Sequence, residues 1–228
     1  GFIDSAKSEA IDFILQTAAL KAEGLVGKIL VTGCLSQRYQ KDILSEMPDP
    51  QKPLADMLRK MNKSFLLSGN NVEIITDFQT MSDRLIADIE GARHHINMLF
   101  FKFEDDAAGR RIADALIRKS EEGVLVRLIY DDAGNLMVPR RFYRKLRKHG
   151  IQVRGFIRIF LPILSRDYNS RNHRKVVVID GRVGYMGGMN IAQRYAEGLK
   201  WGIWRDTHMR ITGPAVSELQ TSFLTDWK

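Results

Sequence analysis

The stretch Asn172-His-Arg-Lys-Val-Val-Val-Ile-Asp-Gly181 decides the fold: a histidine and a lysine two apart stand ahead of four apolar residues and an Asp-Gly turn. The apolar run has the length of a buried strand. Side chains alternate along a strand, so His173 and Lys175 project to the same side at one strand end. An imidazole can attack phosphorus or move a proton near neutral pH, and an adjacent ammonium neutralises the non-bridging oxygens where charge builds up. The pair suits phosphoryl chemistry without a metal, because the lysine supplies the positive charge. Taken alone, it is also what the exposed start of any strand could show, so the neighbouring residues carry the decision.

Downstream, Asp180-Gly181 offers a tight turn and Gly187-Gly188-Met189-Asn190 closes the returning strand. The full spacing, His173-x-Lys175-x4-Asp180-x6-Gly187-Gly188-x-Asn190, resembles the HKD signature of the phospholipase D superfamily. Phe101-Lys-Phe-Glu-Asp-Asp106, Gly187-Gly-Met-Asn-Ile191, Trp204-Arg-Asp-Thr-His208 and Gly213-Pro-Ala215 extend the resemblance. Over roughly residues 53–228 the text is similar to the first catalytic half of a bacterial cardiolipin synthase. That resemblance implies a phospholipase D-like α-β-α sandwich with a mixed, largely parallel central sheet. It also implies phosphatidyl transfer without a cofactor: a histidine attacks the phosphodiester of phosphatidylglycerol, expels glycerol, and passes the phosphatidyl group to a second phosphatidylglycerol. The family resides at the bacterial cytoplasmic membrane.

Strand geometry refines the roles. Asp180 lies roughly 20 Å along a straight strand from His173, so although it belongs to the motif and stands among the catalytic candidates, it reads as a structural turn or a contact to a partner half. A carboxylate that orients the imidazole has to return to the same sheet end. Asp206, ahead of the expected strand 207–211, is placed for that, and related superfamily members carry an acidic residue at about this position; a surface ion pair is the competing reading. The expected catalytic set is His173, Lys175, Asp180 and Asp206, with Lys175, Gly188 and Asn190 on the phosphate oxygens and no metal ligand. His208, His94 and His95 read as packed or solvent-facing. Trp201, Trp204 and Trp227 read as core or rim anchors, with a lipid-facing role open for the first two.

The chain has 228 residues and a formal charge of +8, so its surface attracts phosphate-rich partners, whether nucleic acid, anionic lipid or phosphodiesters. Six of the basic residues fall between Arg140 and Lys148, either as a solvated helix face or as a face that rests on a membrane. The single cysteine excludes an internal disulfide framework and fits a reducing compartment. No apolar run approaches 18 residues, and no charged leader precedes an apolar stretch. A soluble or peripheral chain is expected.

Strand and helix signals alternate, which predicts a sheet covered on both faces. The expected helices are 53–67, 80–91, 107–121, 139–149, one from 190 and one from Pro214. The expected strands are 72–76, 95–103, 124–130, 151–156, a pair over 174–187, and 207–211. Ahead of them, a helix over 4–23, a strand at 28–32 and a helix at 36–46 form a small α-β-α unit. Three prolines in Met47-Pro-Asp-Pro-Gln-Lys-Pro53 interrupt both helix and sheet. The organisation predicted is residues 1–48, a linker over 49–53, and the phospholipase D-like domain over 54–228.

Residues 1–48 resemble a different family. Gly1-Phe-Ile-Asp-Ser-Ala-Lys7 and Val31-Thr-Gly-Cys-Leu-Ser-Gln-Arg-Tyr39 are similar to the N-terminal domain of radical-SAM methylthiotransferases acting on a ribosomal protein. That domain holds an iron–sulfur cluster through three cysteines, and only Cys34 matches; one thiolate cannot hold such a cluster. Methylthiotransfer is not expected, and a chimeric join near residues 48–53 is. The phosphatidyl-transfer chemistry requires two histidines, one to attack and one to protonate the leaving oxygen, whereas the chain carries one HKD motif. The expectation is a truncated half that requires a second HKD half, or a homodimer. A homodimeric phosphodiesterase or nuclease, and a non-enzymatic module binding anionic lipid or nucleic acid, are the alternatives.

Overall fold

The computed structural model describes residues 67–156, 172–198 and 204–228, together with Pro53, Met57, Lys200 and Gly202. The expected elements before residue 53, the proline-rich linker, most of helix 53–67, and Trp201 lie outside the described residues. The chain divides after Ser68, and the compact unit Gly69–Lys228 holds all the elements that follow.

Seven strands alternate with five helices: β1 (Asn71–Ile75), α1 (Phe78–Glu90), β2 (His95–Phe100), α2 (Ala107–Glu121), β3 (Leu125–Asp131), α3 (Arg140–Lys148), β4 (Gln152–Phe156), β5 (Lys175–Ile179), β6 (Val183–Gly187), α4 (Arg194–Glu197), β7 (His208–Thr212) and α5 (Val216–Trp227). The sheet order is β1-β7-β6-β5-β2-β3-β4. β2 pairs parallel with β3, and β3 with β4, while the β2–β5, β5–β6, β6–β7 and β7–β1 pairs are antiparallel. Hence β1, β2, β3, β4 and β6 run one way, and β5 and β7 the other. The mixed sheet is as expected. Most strands share a direction, although antiparallel neighbours outnumber parallel ones.

Alternation along β5 builds both cores. Val177 and Ile179 join Ile96, Met98, Phe100 and Tyr185 beneath helices α1–α3. Val176 and Val178 join Ile211, Val216 and Leu219 beneath α5. This is the α-β-α sandwich. On α1 the buried Phe78, Met81, Leu85 and Ile89 recur at helical spacing, and each such side chain contributes about 1.5–3 kcal/mol when removed from water. Asp77 starts α1 by accepting the Thr80 N–H at 2.7 Å. Asp106 starts α2 by accepting the Gly109 N–H at 2.9 Å. Two expected elements are shorter than read. The strand expected to reach Phe103 ends at Phe100, after which Phe103 makes one isolated bridge to Ile191. The helix expected from 190 is the four-residue α4, because Asn190 and Ile191 are held by the segment after β2.

Candidate active site

Strand direction brings distant residues to one end of the sheet. β2, β3 and β6 deliver their C-terminal ends there, at Phe101, Asp131 and Gly187-Gly188. The antiparallel β5 and β7 deliver their N-terminal ends, with His173, Lys175 and Asp206. Open α/β sheets build their sites at the C-terminal ends of parallel strands.

His173 is exposed and its ring lies 4.6 Å, centroid to centroid, from that of Phe101. Lys175 is only 2% exposed. Its Nζ donates to the His173 carbonyl at 2.7 Å and sits 3.0 Å from Nδ1 and 3.2 Å from Nε2 of the imidazole. An ammonium only donates, so of the two ring nitrogens only the unprotonated one can accept from it. Desolvation, then the Lys175 charge, lowers the pKa of His173 below 6.5, with Asp131 and Asp206 opposing. Desolvation lowers that of Lys175 to about 8, with Asp206 opposing. At neutral pH the site therefore presents a neutral imidazole beside a cation.

The backbone on either side of His173 is fixed from below. Asn172 is buried, its N–H donating to Asp131 at 3.0 Å and its amide to Asp226 on α5 at 2.8 Å. Arg174 reaches the same Asp226 oxygen at 2.8 Å. These anchors, with Asp131 and Phe101, were not singled out from the sequence. The position of Asp131 at the end of a parallel strand was the available signal.

Asp206 comes to the site end, with a more limited contact than expected. It accepts the Thr207 N–H at 2.7 Å and, among the described residues, makes no hydrogen bond to His173. Its charge instead favours the protonated forms of His173 and Lys175. Gly188 makes room for it: a Cβ there would stand 2.0 Å from Asp206 Oδ1.

Three expectations require correction. Asp180 is not at the site; it lies at the far end of β5 and its carboxylate accepts the N–H groups of Arg93, His94 and His95, each at 2.8 Å. Burial opposes its ionisation, but these three donors outweigh burial and lower its pKa. Gly188 does not offer its amide to phosphate, because that N–H donates to the Thr207 carbonyl at 2.9 Å. Asn190, 5% exposed, is mainly a tether: Oδ1 accepts the Lys102 N–H at 3.1 Å and Nδ2 donates to Tyr195 at 2.8 Å. That leaves one amide proton for a ligand.

His208 is packed, as one of its two readings had it. It is fully buried and, among the described residues, neither ring nitrogen has a partner. Register places it opposite Gly187, beside the Met186–Val176 pair of β6 and β5. His94 and His95 sit at the opposite sheet end, beside Asp180. Trp204 is a half-exposed rim residue against Tyr195, and Trp227 stacks on Phe223 beneath Arg154. Among the described residues no cluster suits a metal ion, and no helix is long and apolar enough to cross a membrane.

A cleft of about 520 Å³ opens beside Phe101, walled by Lys102, Glu104, Leu136, Met137 and Pro139 among others. It abuts the ring on which His173 rests.

Comparison with known proteins agrees with this geometry. Residues 85–227 match the family described as cardiolipin synthase, PLD-like domain. The chain is 41% identical over 178 residues to the major cardiolipin synthase ClsA of Bacillus subtilis, covering 77% of this chain and 37% of that protein. It is 40% identical over 191 residues to the cardiolipin synthase of Listeria monocytogenes, covering 82% and 40%. The chain thus spans well under half the length of these relatives. Among solved structures, the phospholipase D family member Nuc from Salmonella typhimurium shares the fold, with a TM-score of 0.54 at 16% identity over 70% of this chain and 95% of that one. The phosphatidylserine synthase of Haemophilus influenzae does so with a TM-score of 0.53 at 18% identity over 68% and 36%. With a histidine and a lysine side by side at one sheet end, on this fold, and with this match, the chain belongs to the cardiolipin synthase family of phospholipase D-like domains.

Proposed function

We propose that the domain, over residues 54–228, supplies the nucleophilic half of a phosphatidyl transfer from phosphatidylglycerol. One observation carries the reading: an exposed His173 ring in contact with the buried Lys175 amine, which among the described residues makes no ion pair with a carboxylate. In the first step His173 attacks phosphorus. The phosphorus–nitrogen bond forms, the bond to glycerol oxygen breaks, and the glycerol oxygen takes a proton from a second histidine. In the second step the hydroxyl of another phosphatidylglycerol gives its proton to that histidine, attacks phosphorus and releases His173. Lys175 neutralises the phosphate oxygens. Asp206 acts through charge and stabilises the cation that His173 becomes. The second histidine comes from a second HKD half or a second copy of the chain, and the working place is an anionic membrane surface.

The test is to incubate the protein with short-chain, phosphorus-32-labelled phosphatidylglycerol below its micelle concentration, and to look for acid-labile, base-stable label on the chain. Labelling that disappears in His173→Asn supports the proposal. Undiminished labelling in His173→Asn refutes it, and cleavage of DNA with no lipid transfer favours a homodimeric nuclease.

A further inference from the structure

The loop between β3 and α3 exposes apolar side chains although it is firmly built. Leu136 is 60% exposed and Met137 94%. On one side of them Asn135, 4% exposed, donates to the carbonyls of Phe101 and Asp131 and accepts the Phe103 N–H. On the other, Val138 packs on the main core and its N–H donates to the Asn135 carbonyl at 2.9 Å. Gly134 lies so close to Phe101 that a Cβ would stand 2.5 Å from its carbonyl oxygen. Loop tips are ordinarily polar, and a rigid tip that holds Leu and Met outward has a use for exposed apolar surface.

Charge identifies the surface it meets. Directly after the tip, α3 carries Arg140, Arg144 and Lys148 at four-residue spacing on one stripe, with Arg141 beside it. All four are exposed and, among the described residues, none has an acidic partner, whereas Lys145 pairs with Asp114 and His149 with Glu121. The carboxylates on the cleft wall are already engaged. Glu104 meets Lys102 and Arg194, Asp105 meets Arg110, and Asp106 accepts two backbone N–H groups. Two apolar anchors flanked by free cations match an interface of acyl chains under anionic head groups.

We infer that Leu136 and Met137 insert into an anionic bilayer beside the cleft lined by Phe101, the ring that contacts His173, with Arg140, Arg141, Arg144 and Lys148 on the head groups. This rests on the phosphatidyl-transfer reading and adds the surface by which the site reaches a membrane-bound substrate.

The test uses vesicles of phosphatidylcholine with and without phosphatidylglycerol. Met137→Trp should blue-shift and be quenched by brominated acyl chains only when phosphatidylglycerol is present. Met137→Asp should weaken partitioning about tenfold, and Arg140→Glu with Arg141→Glu about fivefold per residue at low salt. No quenching of the Trp overturns the inference. So does binding that is abolished by salt yet indifferent to Met137→Asp, which would mean charge alone. A change of mass in solution with Met137→Asp would assign the tip to a protein contact and also overturn it. The two readings fail separately: label on His173 from soluble short-chain substrate without vesicle binding sinks only the docking surface, and vesicle binding with no label even when a second HKD half is supplied sinks the transfer chemistry.

Discussion

Replacing His208 by Leu should flatten the acid sensitivity of this fold. The imidazole is fully buried with both ring nitrogens unpartnered, opposite Gly187 in register. Gly187 has no side chain, and a Cβ there would stand 2.7 Å from Nδ1, so the ring occupies that space. Desolvation, aided by Lys175 and opposed by Asp206, lowers its pKa from 6.5 to about 4. The sign follows from linkage. The folded pKa lies below the unfolded one, so between these values the unfolded chain binds more protons, and stability falls as pH drops through the window. At pH 5 the proton that the unfolded imidazole holds and the folded one refuses costs about 2 kcal/mol, against a few tenths at pH 7.

Leucine has a similar volume and no titrating group. Urea unfolding should place the midpoint of His208→Leu at or above that of wild type at pH 7, because an unsatisfied polar group is exchanged for an apolar one. At pH 5 the variant's lead should grow by about 1 M urea, taking a slope of about 2 kcal/mol/M. Other titrating groups cancel in the difference between the two proteins. An equal gap at both pH values would refute the buried neutral imidazole.

Three other outcomes test the site. Asp180→Ala removes the acceptor for three backbone N–H groups and should lower stability by about 1–3 kcal/mol by chemical denaturation, while the rate of His173 labelling per folded molecule stays within twofold; loss of labelling would return Asp180 to the chemistry. The labelling rate should be bell-shaped in pH, with an acid limb below 6.5 where His173 gains its proton and an alkaline limb near 8 where Lys175 loses its own. Lys175→Arg, a cation at any accessible pH, should show no alkaline limb in whatever activity remains. Gly188→Ala puts a methyl on the Asp206 carboxylate and should lower the His173 pKa seen by NMR, since that charge holds it up; an unchanged titration would show that Asp206 is not what tunes it.

What could be read in the sequence was local. The four apolar residues after Lys175 give a strand whose alternation alone puts His173 and Lys175 together, and the rise per residue alone separates Asp180 from them. Helix α2 matches its expected span, 107–121, because its apolar spacing and its Asp106 cap are both written within a few residues. The illegible part depends on register. The Gly188 amide is taken by Thr207 only because β6 pairs with β7, and Asn190 is turned inward by Lys102 only because two loops dock at the same sheet end. The Asp88, Arg210 and Tyr185 cluster beneath α1 joins a helix and two strands, with Arg210 held at 2.7 and 2.8 Å. No spacing in one segment announces it.

The proton required by the leaving glycerol sets the last prediction. The chain has five histidines, and all five lie among the described residues. His173 is the proposed nucleophile. His94 and His95 stand at the opposite sheet end with Asp180, and His149 ends α3 against Glu121. His208 is close in register but fully buried, so no leaving group reaches it. No histidine on these elements is placed to serve as the acid, so under the proposed transfer the proton comes from a second HKD half or from a second copy of these elements. If a second copy supplies it, the labelling rate per mole of chain should rise with chain concentration and level off where light scattering shows a dimer. If a separate HKD half supplies it, the rate should stay low at every concentration and rise when that half is added. A fast rate per chain that is unchanged on dilution, from a protein that scatters as a monomer, would mean that one imidazole suffices and would refute the proton inventory.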